Sequence, residues 1–170
     1  MKRSLALLSL FFLVGCTSYN DYYQLPIDYL ERRQVETRRF ETDNEEYMLM
    51  ASAQVLQDLE FTLETSDTGL GVLTATKDRE MGSTAGQVAL VMLAAFGGTT
   101  PVYDVRQKIY VTLVSNKSVD MNGYNVRVSF ARIIWNNLNE SRVEQIQEPQ
   151  IYTDFFDKLS QSLFLTANNL

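Results

Sequence analysis

The sequence predicts an α+β two-layer sandwich: one antiparallel sheet of about four to five strands with two amphipathic helices on one face. Three observations predict it. Two segments carry apolar residues at helical spacing. Two hairpins are written as alternating runs joined by turn residues. The resulting order, β-α-β-β-(apolar segment)-β-β-α, leaves one sheet face to bury and two helices to bury it.

Taken in order, Gln34 to Phe40 suggests a first strand. Thr42-Asp43-Asn44-Glu45 then reads as a capping box, with the Thr42 hydroxyl at the N-cap and Glu45 three residues on. Beyond it Met48, Ser52, Val55, Leu56 and Leu59 fall on one stripe flanked by Ala51, which predicts a helix over 43–58. Phe61, Leu63 and Thr65 alternate with Glu60, Thr62 and Glu64, a strand with one buried face. Ser66-Asp67-Thr68-Gly69 supplies a turn, Leu70 to Lys77 returns as its partner, and Lys77-Asp78-Arg79-Glu80 closes the hairpin as a solvated charge run.

The second hairpin pairs Lys108–Ser115 with Tyr124–Trp135 across a turn region at 116–123. Its alternation slips at Ala131-Arg132-Ile133-Ile134, which suggests a β-bulge. Pro149 leads into a final helix on which Tyr152, Phe155, Phe156, Leu159 and Leu163 share a face.

The N-terminus has a different character. Lys2 and Arg3 precede an apolar run from Leu5 to Val14, and Gly15 stands before Cys16, the only cysteine. A charged start, a short apolar run and a small residue at the cut describe a secretory signal. Polar residues from Thr17 onward end the run well short of the ~20 residues that a spanning helix needs. Leu13-Val14-Gly15-Cys16 resembles the lipobox of bacterial lipoproteins. The resemblance implies diacylglycerol on the Cys16 sulfur, cleavage between Gly15 and Cys16, and acylation of the new amine. Two or more acyl chains anchor a protein stably where one does not. Thr17 in place of Asp after the cysteine implies, by analogy with enteric sorting, an outer-membrane location facing the periplasm.

Residues 1–15 are therefore expected to be the signal, 16–33 a lipidated tether with Pro26, and 34–170 a single domain. Tyr19, Tyr22, Tyr23 and Tyr29 of the tether either pack along the domain or sit among lipid headgroups. Loss of Lys2 and Arg3 leaves 13 basic residues against 21 acidic ones, a net charge near −8. That balance argues against a nucleic-acid partner and against electrostatic adhesion to anionic lipid. With Cys16 acylated no internal disulfide can form, so the fold stands on its core, and 45% apolar residues suffice for one.

The element order and the lipobox together resemble the small accessory lipoproteins of the bacterial envelope that carry a helix-grip domain, the BamC-like proteins. That likeness is one of architecture. Ala51–Phe61 with Leu70–Arg79, and Phe130–Asn136 with Ile151–Leu159, are also similar to an uncharacterised lipoprotein family. This second resemblance spans most of the mature chain and implies no particular activity.

The inventory for chemistry is poor. Histidine is absent, which removes the commonest general base and the commonest metal ligand. The single cysteine is consumed by lipid. Asp67-Thr68-Gly69 matches the short signature of aspartic proteases, but Asp and Gly are also what a hairpin turn asks for, and a turn is the expected role. Gly69-Leu70-Gly71 lacks the third glycine of a dinucleotide fingerprint. No loop has carboxylates at EF-hand spacing. No catalytic residue, metal site or cofactor is expected. Arg32, Arg33, Arg38 and Arg39 are read as a solvated face, with contact to lipid phosphates as the alternative.

One segment stands out. Val88-Ala-Leu-Val-Met-Leu-Ala-Ala-Phe96 is continuously apolar between Gly86 and Gly97-Gly98. It serves either as a short core helix joining the hairpins or as an exposed finger for a leaflet, a partner's groove or another copy. As an interaction segment it would act through Val88, Leu90, Val91, Met92, Leu93 and Phe96.

The function expected is that of a non-enzymatic, membrane-anchored accessory lipoprotein that binds or helps assemble an envelope protein. The alternative is a periplasmic carrier of lipid or another hydrophobic ligand. Replacing Cys16 by Ser should abolish metabolic acyl labelling and leave the uncleaved precursor, read by gel mobility. Unchanged labelling would refute lipidation at that residue.

Overall fold

The computed structural model describes residues 28–82, 101–120 and 122–167. The chain divides into two units, Met1–Leu30 and Glu31–Leu170, and the second carries the sandwich. The signal, Gly15, Cys16 and most of the tether lie outside the described residues, as does Val88–Phe96.

Nine elements succeed one another among the described residues: α1 (Tyr29–Glu36), β1 (Thr37–Phe40), α2 (Glu45–Asp58), β2 (Thr62–Asp67), β3 (Val72–Glu80), β4 (Asp104–Lys117), β5 (Tyr124–Asn136), β6 (Ser141–Gln145) and α3 (Pro149–Ala167). The six strands form one antiparallel sheet in the order β1-β5-β4-β3-β2, with β6 also on β5. The α+β sandwich is therefore present, with one strand and one helix more than the sequence suggests.

Both additions are polar. In α1 no residue is buried, so no apolar stripe marks it, although Leu, Glu, Arg and Gln are good helix formers. It takes in the end of the expected tether and the first residues of the expected strand, which starts only at Thr37. β6 reads Ser-Arg-Val-Glu-Gln, and its one apolar side chain, Val143, is 70% exposed. Pairing with β5 holds it, and no alternation could announce it.

The α2 stripe is placed as its spacing predicts: Met48, Ala51, Ser52, Val55 and Leu56 are buried, together with Leu49. Its start differs by two residues. Asn44 is the N-cap, its Oδ1 accepting from the Tyr47 amide at 2.9 Å, while Thr42 Oγ1 accepts from the Asn44 amide. Asn and Thr compete to cap the free amides, and the better cap, nearer the helix, wins. Freed from a capping box, Glu45 instead accepts a hydrogen bond from the Ser115 hydroxyl of β4.

Alternate residues of the long central strands face the helices: Leu73 and Ala75 of β3, Val111 and Leu113 of β4, and Val126, Val128 and Phe130 of β5. They form one core with α2 and with Tyr152, Phe155, Phe156 and Leu159 of α3. The aromatic part is edge-on. Phe130 meets Tyr152 at 5.3 Å and 76°, and Phe155 meets Phe156 at 5.4 Å and 67°.

The expected bulge at 131–134 is absent. Pairing from Ala131↔Tyr110 to Trp135↔Arg106 keeps step, and the irregularities fall at Asp104/Arg106 and at Leu63/Thr65. The slip in the pattern has another cause: the even positions of β5 stay on the inner face, and one of them is Arg132. The Leu63/Thr65 bulge likewise breaks the alternation of β2, whose residues are mostly exposed. The Lys77–Glu80 run lies beyond the β2–β3 pairing, which ends at Thr62↔Thr76, and is exposed from Asp78 on, but it is still strand, paired with Arg106–Ile109 of β4.

Two glycines are required by close approach. A Cβ on Gly71, at φ +64°, would stand 2.5 Å from Ser115 Oγ. One on Gly123, at φ +102°, would stand 2.2 Å from the Phe40 carbonyl oxygen.

Phe155 is 1% exposed and touches the aromatic side chains of both the sheet and α3. Phe155→Ala should therefore cost about 3–5 kcal/mol in urea unfolding, whereas Met50→Ala, on the exposed side of α2, should change stability by less than about 0.5 kcal/mol. Similar effects at the two sites would contradict this core.

Candidate functional site

The sheet is longer than its helical cover. β4 has 14 residues and α2 also has 14. At ~3.3 Å per residue for a strand and ~1.5 Å for a helix, the first is about twice as long as the second. Inner-face positions at the Asp104 end of β4 therefore extend past the last turn of α2, and a groove of about 260 Å³ opens there.

Its walls come from every layer. Leu59 and Phe61 follow α2, Ile109 and Phe130 rise from β4 and β5, and Ile146, Ile151 and Phe155 close the α3 side. Lys77 and Arg79 of β3 and Asp154 and Lys158 of α3 stand around it.

The α2 exit shapes one wall. Glu60 adopts φ +66°, its amide donates to the Gln57 carbonyl at 2.8 Å, and the Phe61 amide donates to the Leu56 carbonyl at 2.9 Å. These two bonds make a Schellman end, with a glutamate where glycine is usual. Lys77 completes it. Its Nζ donates to the Leu59 carbonyl at 3.0 Å and to Glu60 Oε2 at 2.7 Å, and it lies 5.8 Å from the Phe61 ring centroid. The ammonium lowers the Glu60 pKa, chiefly by hydrogen bonding. It also satisfies a carbonyl at the negative end of the helix.

The opposite wall is tied down through Ile146. Its amide donates to the Phe130 carbonyl at 3.0 Å, and its own carbonyl accepts the Tyr152 hydroxyl at 2.6 Å. Burial raises the Tyr152 pKa, which keeps that hydroxyl a donor.

Charges hold β6 beside this wall. Arg142 grips Asp104 with two bonds of 2.6 and 2.7 Å, reaching across β5, and donates to Glu144 at 2.8 Å. Arg132, opposite Glu144 in register, donates to the same carboxylate at 2.8 Å. Hydrogen bonds from Arg142 lower the pKa of Asp104 and of Glu144, and Arg132 adds to the effect on Glu144.

By contrast Arg79 and Lys158 have no hydrogen-bond or ion-pair partner among the described residues, and both are exposed. Gln107, opposite Arg79 in register, is buried with its Oε1 atom lacking a partner among them. A larger depression at the far end of β4, lined by Glu41, Asp43 and Lys117 among others, is open and mostly polar.

The sequence pointed elsewhere. Gly15, Cys16, Val88, Leu90, Val91, Met92, Leu93 and Phe96 all lie outside the described residues. Described chain stops at Gly82 and resumes at Pro101, at the same end of the β3–β4 ladder as Arg79. Asp67 has the expected turn role, its Oδ1 accepting from the Leu70 amide at 3.0 Å. Arg38 and Arg39, expected on a solvated face, are engaged within the chain. Arg38 pairs with Asp157 at 2.8 Å and lies 5.0 Å from the Phe156 ring centroid, and Arg39 pairs with Asp120 at 2.7 Å.

The groove is hidden from a linear reading because its residues are far apart in sequence. One signal was available. In Lys77-Asp78-Arg79-Glu80 the cations alternate with the anions at the period of a strand, which puts both cations on one face.

Among the described residues no group of three acidic side chains is placed to hold a metal ion, and no helix is long and apolar enough to cross a membrane. No protein-family model matches the chain, and no curated protein matches it.

Asp104 and Glu144 titrate below their ordinary values of 3.8 and 4.5 in the folded chain. Their contribution to stability is thus present above those values and lost as pH falls through the lower, folded ones. In Arg142→Met the two carboxyl resonances should titrate at higher pH than in the wild type. The variant's melting temperature should also fall less on acidification below about pH 4.5. Unmoved titrations would mean that Arg142 does not hold the pair in solution.

Proposed function

We propose that this chain is a non-enzymatic accessory lipoprotein of the bacterial envelope, tethered through acylated Cys16 to the outer membrane and facing the periplasm. Its α+β domain binds an envelope protein, and the groove between α2, α3 and the sheet receives an apolar side chain of that partner. The observation that carries this reading is an open apolar groove bounded by a wall that hydrogen bonds tie together at Phe130, Ile146 and Tyr152.

Size weighs against the carrier alternative. Small-molecule pockets run to ~300–1,000 Å³ and bury most of their ligand. The groove, at about 260 Å³, is smaller and open. It suits one or two side chains of a docked segment better than an enclosed acyl chain. Strand addition, the other common mode of docking on a sheet, is disfavoured at both edges. β2 has a bulge at Glu64 and ends in Asp67, and the other edge is split between β1, four residues with Arg38 and Arg39, and β6, five residues with Arg142 and Glu144. Bulges, charges and short length are the devices that keep edges from pairing.

A photo-crosslinking residue at Ile151, on the groove, should give a discrete protein adduct when full-length lipoprotein is irradiated in intact cells. The same residue at exposed Val119, in the β4–β5 turn, should not. Adducts to lipid alone would favour the carrier, and no adduct at Ile151 would remove the groove as a binding site.

A further inference from the structure

We infer that the segment received by the groove is acidic as well as apolar: an aromatic or aliphatic side chain flanked by carboxylates. The inference rests on the protein-binding reading above and names its partner's chemistry. It is carried by the juxtaposition of Arg79 and Lys158, both without a described partner, on the rim of an apolar groove in an acidic chain.

The charge pattern is local. The chain has a net charge of −6, yet the groove is lined by Lys77, Arg79 and Lys158 against Asp154. These cations differ in availability. Lys77 is committed to Glu60 and the Leu59 carbonyl, and its side chain is 26% exposed. Asp154 accepts from the neutral Gln150 amide at 2.7 Å and keeps its negative charge, so Arg79 and Lys158 outnumber it by two to one. Elsewhere on the inner face the arginines are matched: Arg132 and Arg142 with Glu144, Arg142 with Asp104, and Arg38 with Asp157. Arg79 and Lys158 break that rule at the place where apolar wall is open.

They come from different layers, β3 and α3, so a segment lying in the groove passes between them. Guanidinium and ammonium groups attract carboxylates, and Arg offers a bidentate fork. A basic segment meets two like charges there, so the same pair selects against it. The chain's own apolar run does not meet this requirement, since residues 81–103 contain no charged side chain. A lipidated protein held at one surface needs only a modest affinity for such a segment, because tethering raises the effective concentration.

The test uses full-length acylated protein in lipid nanodiscs and fluorescence anisotropy. The probes are a labelled hexapeptide with a Phe-Leu centre flanked by Asp and Glu, its Asn/Gln counterpart, its Lys counterpart, and dodecanoate as competitor. The acidic peptide should bind about tenfold more tightly than the amide peptide, and the basic one more weakly still. Arg79→Glu with Lys158→Glu changes two exposed side chains, so the domain should melt as the wild type does while the acidic preference is lost. Added salt should weaken the acidic peptide only. Equal affinity for all three peptides, a preference that survives the double variant, or occupancy by dodecanoate alone would overturn the inference. If the Ile151 adduct in cells persists while the charge preference is absent, the protein-binding reading stands and this one falls. Loss of that adduct in the charge-reversed protein would support both.

Discussion

A strand advances more than twice as far per residue as a helix, and here the long β4–β5 hairpin is covered by helices of ordinary length. The sheet consequently has two regimes on one face. Where α2 and α3 lie over it, inner positions are Leu73, Ala75, Val111, Leu113, Val126 and Val128, all buried. Beyond them the same alternation continues, and the inner residues become Lys77, Arg79, Arg132 and a half-buried Ile109, with Gln107 and Ile134 buried further along. The groove is what remains between those regimes. Its location follows from element lengths, and its chemistry from the residues that the strands happen to place there.

The boundary is made firm by an aromatic side chain from each side. Phe130 sits under Tyr152 and Phe155 and also faces Phe61, so the exit of α2, the middle of β5 and the start of α3 share one contact. Tyr152 then reaches the Ile146 carbonyl, which ties the chain between β6 and α3 to the same point. Buried aromatic faces supply the area and the hydroxyl supplies direction. On the same inner face, the Arg132–Glu144–Arg142–Asp104 chain of charges links β5, β6 and β4. These pairs are partly exposed and each is modest in energy. Their role is to fix register in a strand that has almost no apolar side chain to fix it.

The tether proposed for this chain would confine the domain to a layer near one surface, where a small, open groove need not bind strongly to be occupied. Both sheet edges carry features that resist pairing, so the domain offers its surface through side chains rather than through backbone. That combination is the reason for reading the chain as an interaction module with a preferred kind of partner.

Much of the fold was legible in the sequence because it is written in periodicity. The α2 and α3 stripes, the two hairpins and the Asp67 turn each follow from local spacing, and local spacing is what a linear reading detects. The resemblance of Leu13-Val14-Gly15-Cys16 to a lipobox is likewise local, carried by four residues. What escaped was polar or long-range. α1 and β6 bury no apolar face of their own, Arg132 disguised an unbroken strand as a bulge, and the Asn44 cap prevailed over Thr42 by geometry. The groove escaped most completely. Phe61, Arg79, Ile109, Ile146 and Lys158 meet only where the exit of α2, the start of α3 and the inner face of β3 to β5 come together. Local pattern was enough to specify the main elements and to suggest the anchor. Where the uncovered surface lies was settled by packing, because that depends on how far each element reaches once the layers are assembled.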